Sequence, residues 1–257
     1  MSRLEYKYLF HNSIFDRLKS KLDFFIIPDY YGGHRREEYI VRSIYYDTPF
    51  LEYYYRKEAG FIIRKKIRLR GYDDYNPEKI VFFEIKRKLN DRIFKERIPL
   101  IFSDVKNFLD TGNVTKNIET NGILNIEKAK NHFLFHYYRK SLAPIALVVY
   151  DREAYFSKFD KSLRITFDKN LRAKLFPVVN ELFSDSDLEF VMKNYFILEV
   201  KFYNSLPEYL VKILGEISAT RLALSKYVMS IDKLKGKDKL LFLPEKIINH
   251  GRIACRF

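Results

Sequence analysis

One cysteine, Cys255, is the only thiol in this chain of 257 residues, so no intrachain disulfide can form and a reducing compartment is expected. Long apolar runs are also missing. The longest, Ile145 to Tyr150, is far short of the roughly 20 residues a helix needs to cross a bilayer, so no transmembrane segment is expected. The first residues pass directly into a charged alternating pattern without the apolar stretch of a secretory signal, and a cytoplasmic location is the corresponding expectation. There is no glycine-rich phosphate loop, no Walker-type lysine motif and no Ser-His-Asp arrangement. His132 and His136 lie four apart, a helical spacing that can bind zinc, but no further Cys or His cluster supplies other ligands, which argues against a zinc site. Acid is scarce relative to base: 33 Asp+Glu stand against 47 Lys+Arg, a net charge of +14 that favours anionic partners. With 47% hydrophobic and 17% aromatic residues, a disordered chain is excluded and a substantial core is available.

What the sequence does have is alternation. Charged residues occupy every second position in Glu5-Tyr-Lys7, Lys66-Ile-Arg68-Leu-Arg70, Glu84-Ile-Lys86-Arg-Lys88, Lys95-Glu-Arg97 and Glu199-Val-Lys201. Successive side chains of a strand point to opposite faces, so each stretch offers one charged face and one that is mostly apolar. Leu69, Phe83, Ile85, Phe94, Ile98, Leu198, Val200 and Phe202 are expected to pack against helices, while the cations share the other surface. Such a sheet suits a polyanion.

Between these stretches the pattern changes period. Ser13-Ile-Phe-Asp16 reads as a capping arrangement ahead of an amphipathic helix through Leu18 and Leu22, which Pro28 closes. A loop over 29–38 with Gly32-Gly33 precedes a strand from Tyr39 to Tyr46, and Asp47-Thr-Pro49 can open a short helix. From Gly60 to Pro99 the reading is a β-meander with turns at Gly71-Tyr-Asp-Asp74 and Asn90-Asp91, whose tightness implies antiparallel pairing. Helices are expected after Ser103 and from Asn125 to Tyr138, strands at Ile145 to Phe156, Ser162 to Asp168 and Tyr195 to Tyr203, and a last helix from about Pro207. The fold class is α+β, with roughly eight antiparallel strands in a β-barrel and helices packed outside. One domain is expected over residues 1–235, with 236–257 as a C-terminal extension packed on it or trailing from it.

Arg68 and Arg70 sit two apart on one strand face, and paired guanidiniums bind phosphate oxygens bidentately. Lys86 and Lys95 add point charges, and Arg152 and Arg164 two more guanidiniums. Phosphoryl transfer needs such a cage, because its catalysis is mostly positioning and stabilisation of charge on oxygen. Any one of these cations on its own reads as a solvated side chain on the wet face of a sheet. Glu199 stands as a carboxylate inside the apolar strand Ile197-Leu-Glu-Val-Lys201; it pairs with a neighbouring cation or serves as a hard-metal ligand shared with phosphates, and Glu5 and Glu84 are lesser candidates for the metal role.

Taken in order, Arg3-Leu-Glu-Tyr-Lys-Tyr8, Ser43-Ile-Tyr-Tyr-Asp-Thr-Pro49, Ile67-Arg-Leu-Arg-Gly-Tyr72, Phe83-Glu-Ile-Lys86, Tyr150-Asp-Arg-Glu-Ala-Tyr-Phe156, Leu163-Arg-Ile-Thr-Phe-Asp168, Ile197-Leu-Glu-Val-Lys201 and Leu224-Ser-Lys-Tyr227 resemble the catalytic polyphosphate polymerase domain of the vacuolar transporter chaperone family, a branch of the triphosphate tunnel metalloenzymes. The resemblance spans nearly the whole chain. It implies an antiparallel barrel forming a triphosphate tunnel, phosphate binding by Lys7, Arg68, Arg70, Lys86, Lys95, Arg152, Arg164 and Lys226, and catalytic roles for Arg68, Arg70, Lys86 and Lys226. Glu199 would hold Mn²⁺ or Mg²⁺. The implied reaction transfers the γ-phosphoryl group of ATP to a growing polyphosphate chain. Arg3 stands where the broader superfamily has the first Glu of its opening strand, which weakens a triphosphatase assignment. Hydrolysis of inorganic or nucleoside triphosphate, and polyphosphate binding without turnover, are the alternatives. No specific nucleic-acid motif is seen, and oligomeric state is not legible.

Overall fold

Among the described residues, segments rich in β-branched and aromatic residues form ten strands, and six α-helices accompany them, as the α+β class requires. The computed structural model describes residues 3–30, 38–89, 92–114, 118 and 126–235. Gly32-Gly33, the Asn90-Asp91 turn, Asn125, Cys255 and the 236–257 extension lie outside the described residues. The strands are β1 (Leu4–His11), β2 (Ile26–Pro28), β3 (Glu38–Asp47), β4 (Ile63–Tyr72), β5 (Ile80–Leu89), β6 (Arg92–Ile101), β7 (Ala143–Ser157), β8 (Arg164–Leu175), β9 (Glu189–Phe190) and β10 (Tyr195–Phe202). The helices are α1 (Phe15–Asp23), α2 (Glu52–Glu58), α3 (Val105–Thr111), α4 (Ile126–Arg139), α5 (Glu208–Glu216) and α6 (Lys226–Leu234). Hydrogen bonding follows the order β1-β10-β8-β7-β3-β4-β5-β6, with β2 added to β7 and β9 to β8. The β1–β10, β10–β8, β4–β5 and β5–β6 ladders are antiparallel.

The chain forms two compact units, the first from Met1–Val41, Val149–Arg172 and Phe190–Lys226, the second from Arg42–Val148, Ala173–Glu189 and Tyr227–Phe257. In the first unit the apolar faces of β1, β8 and β10 contribute Tyr8, Phe10, Ile165, Phe167, Leu198, Val200 and Phe202 to one cluster. Leu18 and Leu22 of α1 and Leu210, Ile213 and Leu214 of α5 close over it. Leucines four apart share a helix face, which is why these two short amphipathic helices dock there. The expected Ser13 cap does not form: Asn12–Ile14 is a 3₁₀ turn in which the Ser13 N–H donates to His11 Nδ1 at 3.2 Å.

In the second unit the apolar face of the meander carries Ile67, Leu69, Phe83, Ile85, Ile98 and Leu100, all at most 1% exposed. Phe83 meets Phe133 of α4 and Phe108 of α3 at ring-centroid distances of 4.2 and 5.7 Å. Each fully buried side chain of this kind contributes about 2–3 kcal/mol. Phe94 departs from expectation, because it lies near the β5–β6 end of the meander, is 47% exposed and is covered by the Arg87 guanidinium instead of a helix. Gly71 permits a close approach: a Cβ there would come within 2.6 Å of the Phe183 ring.

The Asp47-Thr-Pro segment does start a helix, by a route the sequence concealed. Leu51, just before α2, has no side-chain acceptor, so Asp47 supplies one. Its Oδ1 accepts the Thr48 and Tyr53 N–H groups at 2.7 and 2.9 Å, and its Oδ2 accepts the Tyr54 N–H and the Tyr227 hydroxyl at 2.9 and 2.8 Å. Burial pushes this carboxyl up to about 6 despite those donors. Among the described residues, no helix is long and apolar enough to cross a membrane.

Candidate functional site

The meander of the second unit converts sequence alternation into an ordered array. Its registers align Lys66, Lys86 and Lys95 in one row across β4, β5 and β6, and Arg68, Glu84 and Arg97 in the next. Arg70 lies two residues further along β4, on the same face. Lysines opposite one another on three neighbouring strands concentrate positive charge on this face. The row exists only through register, which alternation along a single strand does not encode.

Glu84 is the centre of the array. It is 1% exposed, and its Oε2 receives Arg68 Nε at 2.8 Å and Nη2 at 2.6 Å, with Arg70 Nη1 at 3.9 Å. Its Oε1 receives Lys95 Nζ at 2.7 Å and Arg97 Nε and Nη2 at 2.9 and 2.6 Å. Burial alone would raise its pKa, but the Arg68, Arg70, Lys95 and Arg97 charges outweigh it and hold the carboxyl well below the usual range. A carboxylate so placed gathers the four cations around it. Arg97, a residue missed as a site candidate, also lies 4.4 Å above the Phe82 ring. Arg68 reaches the Tyr45 hydroxyl at 3.0 Å and Arg70 the Ser43 hydroxyl at 3.2 Å, so both guanidiniums are braced by β3.

The excess of cations shows in Lys95. Burial, and the charges of Arg97, Arg68 and Arg70, lower its pKa to about 7 against the opposing pull of Glu84. With 41% of its side chain still in solvent, water offsets part of that depression. A bound anion favours the charged amine, so anion binding to this face is expected to be tightest below pH 7 and to weaken as the pH rises past it. Triphosphate affinity measured from pH 6 to 9 should fall across this range, and Lys95→Arg, which stays charged, should flatten the profile. A profile equally steep in Lys95→Arg would remove Lys95 as its source.

The first unit carries a second charged face, with acids and bases nearly balanced. In the β1–β10–β8 ladders, Glu5, Lys201 and Arg164 form one row and Lys7, Glu199 and Thr166 the next. Lys7 Nζ lies 2.9 Å from Glu5 Oε1 and 3.7 Å from Glu199 Oε2, and Lys201 Nζ lies 2.6 Å from Glu199 Oε1. Glu199 is 5% exposed; burial would raise its pKa, but Lys201, Lys7, Lys226 and Arg152 hold it well below the usual range. The carboxylate is therefore ionised, and it is paired with cations.

Beside it, Arg152 grips Asp168 with Nε at 2.6 Å and Nη2 at 2.8 Å, and Lys226 Nζ meets Asp168 Oδ2 at 2.5 Å. Both cations also stand over the Tyr150 ring, at 5.2 and 4.6 Å. Asp168, which sequence reasoning did not single out, is thus the partner that keeps two predicted phosphate binders buried. Arg164 is drawn to Asp29, 2.7 Å away, and its Nη2 donates to the Tyr39 hydroxyl at 3.4 Å. Of the predicted residues, Arg68, Arg70, Lys86 and Lys95 come together in the second unit, and Lys7, Glu199, Arg152, Arg164 and Lys226 in the first.

Among the described residues no group of three or more His, Cys, Asp or Glu side chains is arranged to hold a metal ion. Magnesium and manganese are commonly held by one or two carboxylates together with substrate phosphates, and Glu199 with Glu5, converging on Lys7 Nζ, offers hard oxygen donors of that kind. His132 and His136 face away from the charged array of the meander. His132 Nδ1 lies 2.6 Å from Glu96 Oε2, and His136 Nε2 lies 3.0 Å from Lys65 Nζ, which places them on the helix-covered side of the meander.

A model of the VTC domain family matches residues 2–235. No curated protein matches the chain. One similar solved chain is that of the Schizosaccharomyces pombe Mediator head module, at 12% identity and a TM-score of 0.38, with 85% of this chain and 92% of that chain covered. So loose a likeness carries no functional argument.

Proposed function

The chain belongs to the VTC domain family, which is associated with polyphosphate chemistry, and on that premise we propose that it elongates polyphosphate at the expense of ATP. The terminal oxygen of the chain attacks the γ-phosphorus of ATP, a new phosphoanhydride bond forms, and the bond to the β–γ bridging oxygen breaks to release ADP. The observation that supports this best is the array on β4, β5 and β6, where Arg68, Arg70, Lys95 and Arg97 converge on Glu84 and Lys66 and Lys86 extend the row of Lys95. Polyphosphate carries repeated negative charge at close spacing, and the rows offer it repeated positive charge.

In this reading Arg68 and Arg70 hold non-bridging oxygens bidentately, with Tyr45 and Ser43 fixing their orientation, while Lys86 and Lys95 follow the chain as point charges. Lys7, Arg152, Arg164 and Lys226 are held ready by acidic partners, and incoming phosphate competes with those partners for them. Glu199, with Glu5 beside it, would hold Mn²⁺ or Mg²⁺. The divalent cation supplies charge that offsets repulsion between ATP and the chain terminus.

The test is incubation of purified protein with ATP and Mn²⁺, following polyphosphate on a gel beside free phosphate, with Glu199→Ala as control. Ladder growth that is lost in the variant is the expected result. Free phosphate without a ladder would redirect the assignment to hydrolysis. Binding of polyphosphate with no turnover under any metal would make the protein a polyanion-binding module.

A further inference from the structure

Nearly every buried polar side chain of the first unit's charged face has a protein partner, and Thr166 does not. It is 1% exposed, and its Oγ1 is shielded from water with no hydrogen-bond partner among the described residues. The β8–β10 register sets it directly opposite Glu199. Side chains paired in this way stand on the same face and within reach of one another. Two residues further along β8 on that face is Asp168 with Arg152 and Lys226, and two residues before is Arg164. The hydroxyl therefore lies between the proposed metal carboxylate and three of the proposed phosphate cations.

A buried hydroxyl without a partner destabilises a fold, and valine would fill the same space without that cost. The oxygens of Glu199 are engaged by Lys201 and Lys7, and those of Asp168 by Arg152 and Lys226, so neither carboxylate has called in the Thr166 proton. A ligand oxygen arriving at Glu199 would. Threonine is also stiff at χ1, which lets it aim one donor in a fixed direction.

We propose that Thr166 Oγ1 donates a hydrogen bond to a non-bridging oxygen of the phosphate group held at Glu199, and so orients that group. This contact rests on the polyphosphate reading given above and names a residue of the site in addition to its cations. It adds direction where lysines add only charge, because ammonium groups on flexible stems attract phosphate without fixing its rotation.

Calorimetric titration of inorganic triphosphate in the presence of Mn²⁺ should show affinity about tenfold weaker in Thr166→Val, as expected for loss of one hydrogen bond to a charged group. Thr166→Ser, which keeps the hydroxyl, should stay within about twofold of the native protein. The unfolding midpoint of ligand-free Thr166→Val should equal or exceed the native one, since no protein hydrogen bond is lost. Titration of Mn²⁺ alone should be the same in both. Native affinity in Thr166→Val overturns the proposal, as does a lowered midpoint, which would reveal a protein partner, or weakened binding of Mn²⁺ alone, which would place the hydroxyl on the cation. Failure of the native protein to bind triphosphate would remove the polyphosphate reading and this contact together; native binding with an unaffected Thr166→Val removes the contact only.

Discussion

Glu84→Gln is expected to lower the stability of the ligand-free protein by about 3–5 kcal/mol, the usual cost of removing one partner from a buried charge cluster. Arg68, Arg70, Lys95 and Arg97 would then face one another around a neutral amide that can accept at one oxygen only. Urea unfolding would measure the loss. Inorganic triphosphate should restore much of it, because the ligand supplies the missing negative charge and binds the folded state alone. The pH dependence has a definite sign. Glu84 is held below the usual carboxylate value of 4.5, so its contribution is fully present above that pH and disappears as the pH falls through the depressed folded-state value. The difference between native and variant proteins should therefore narrow only in strong acid. Equal stability at neutral pH would mean that the four cations do not depend on this carboxylate.

Removing a cation from the same cluster should do the opposite. Arg68→Ala is expected to weaken triphosphate binding about 100-fold through loss of a bidentate charged contact, while changing stability by less than about 1 kcal/mol. Glu84 would keep Arg70, Lys95 and Arg97, and crowding among like charges would ease. Arg68→Lys should recover only part of the affinity, since an ammonium cannot reproduce the planar fork that now spans Glu84 and Tyr45. Titration calorimetry and urea unfolding of the same preparations decide it. Unaltered affinity would take Arg68 out of the binding surface, and an unfolded variant would make its role structural.

Period-two alternation is a local property, and it located the charged faces of β1, β4, β5, β6 and β10, while the short β2 and β9, which carry no such alternation, were not expected. Arg68 and Arg70 must share a face wherever β4 lies. The partnerships were not legible, since they depend on register. Glu84, a lesser metal candidate by sequence, sits between Arg68 and Arg97 through the β4–β5 and β5–β6 registers. Asp168 was overlooked for the same reason: nothing nearby in sequence announces that Arg152, sixteen residues away, and Lys226 will both converge on it. For Glu199 the expected cation pairing is present, with Lys201 two residues on and Lys7 on the paired strand as the partners. The Ser13 cap failed because His11 took the hydrogen bond first. Thr166 gave no signal at all, because an unpaired hydroxyl can be recognised only after every neighbour has been placed.

The three-lysine row has a consequence for the heat of binding. The β4–β6 face as a whole carries more cations than carboxylates, and such a face is expected to draw a local surplus of small mobile anions from the buffer. A docking polyphosphate expels those ions, and sheds condensed cations of its own, into the bulk. On the proposed function, the affinity is expected to come in large part from disorder gained by salt, with modest enthalpy. Chloride, sulfate and inorganic phosphate in a buffer are then expected to compete with polyphosphate for this face.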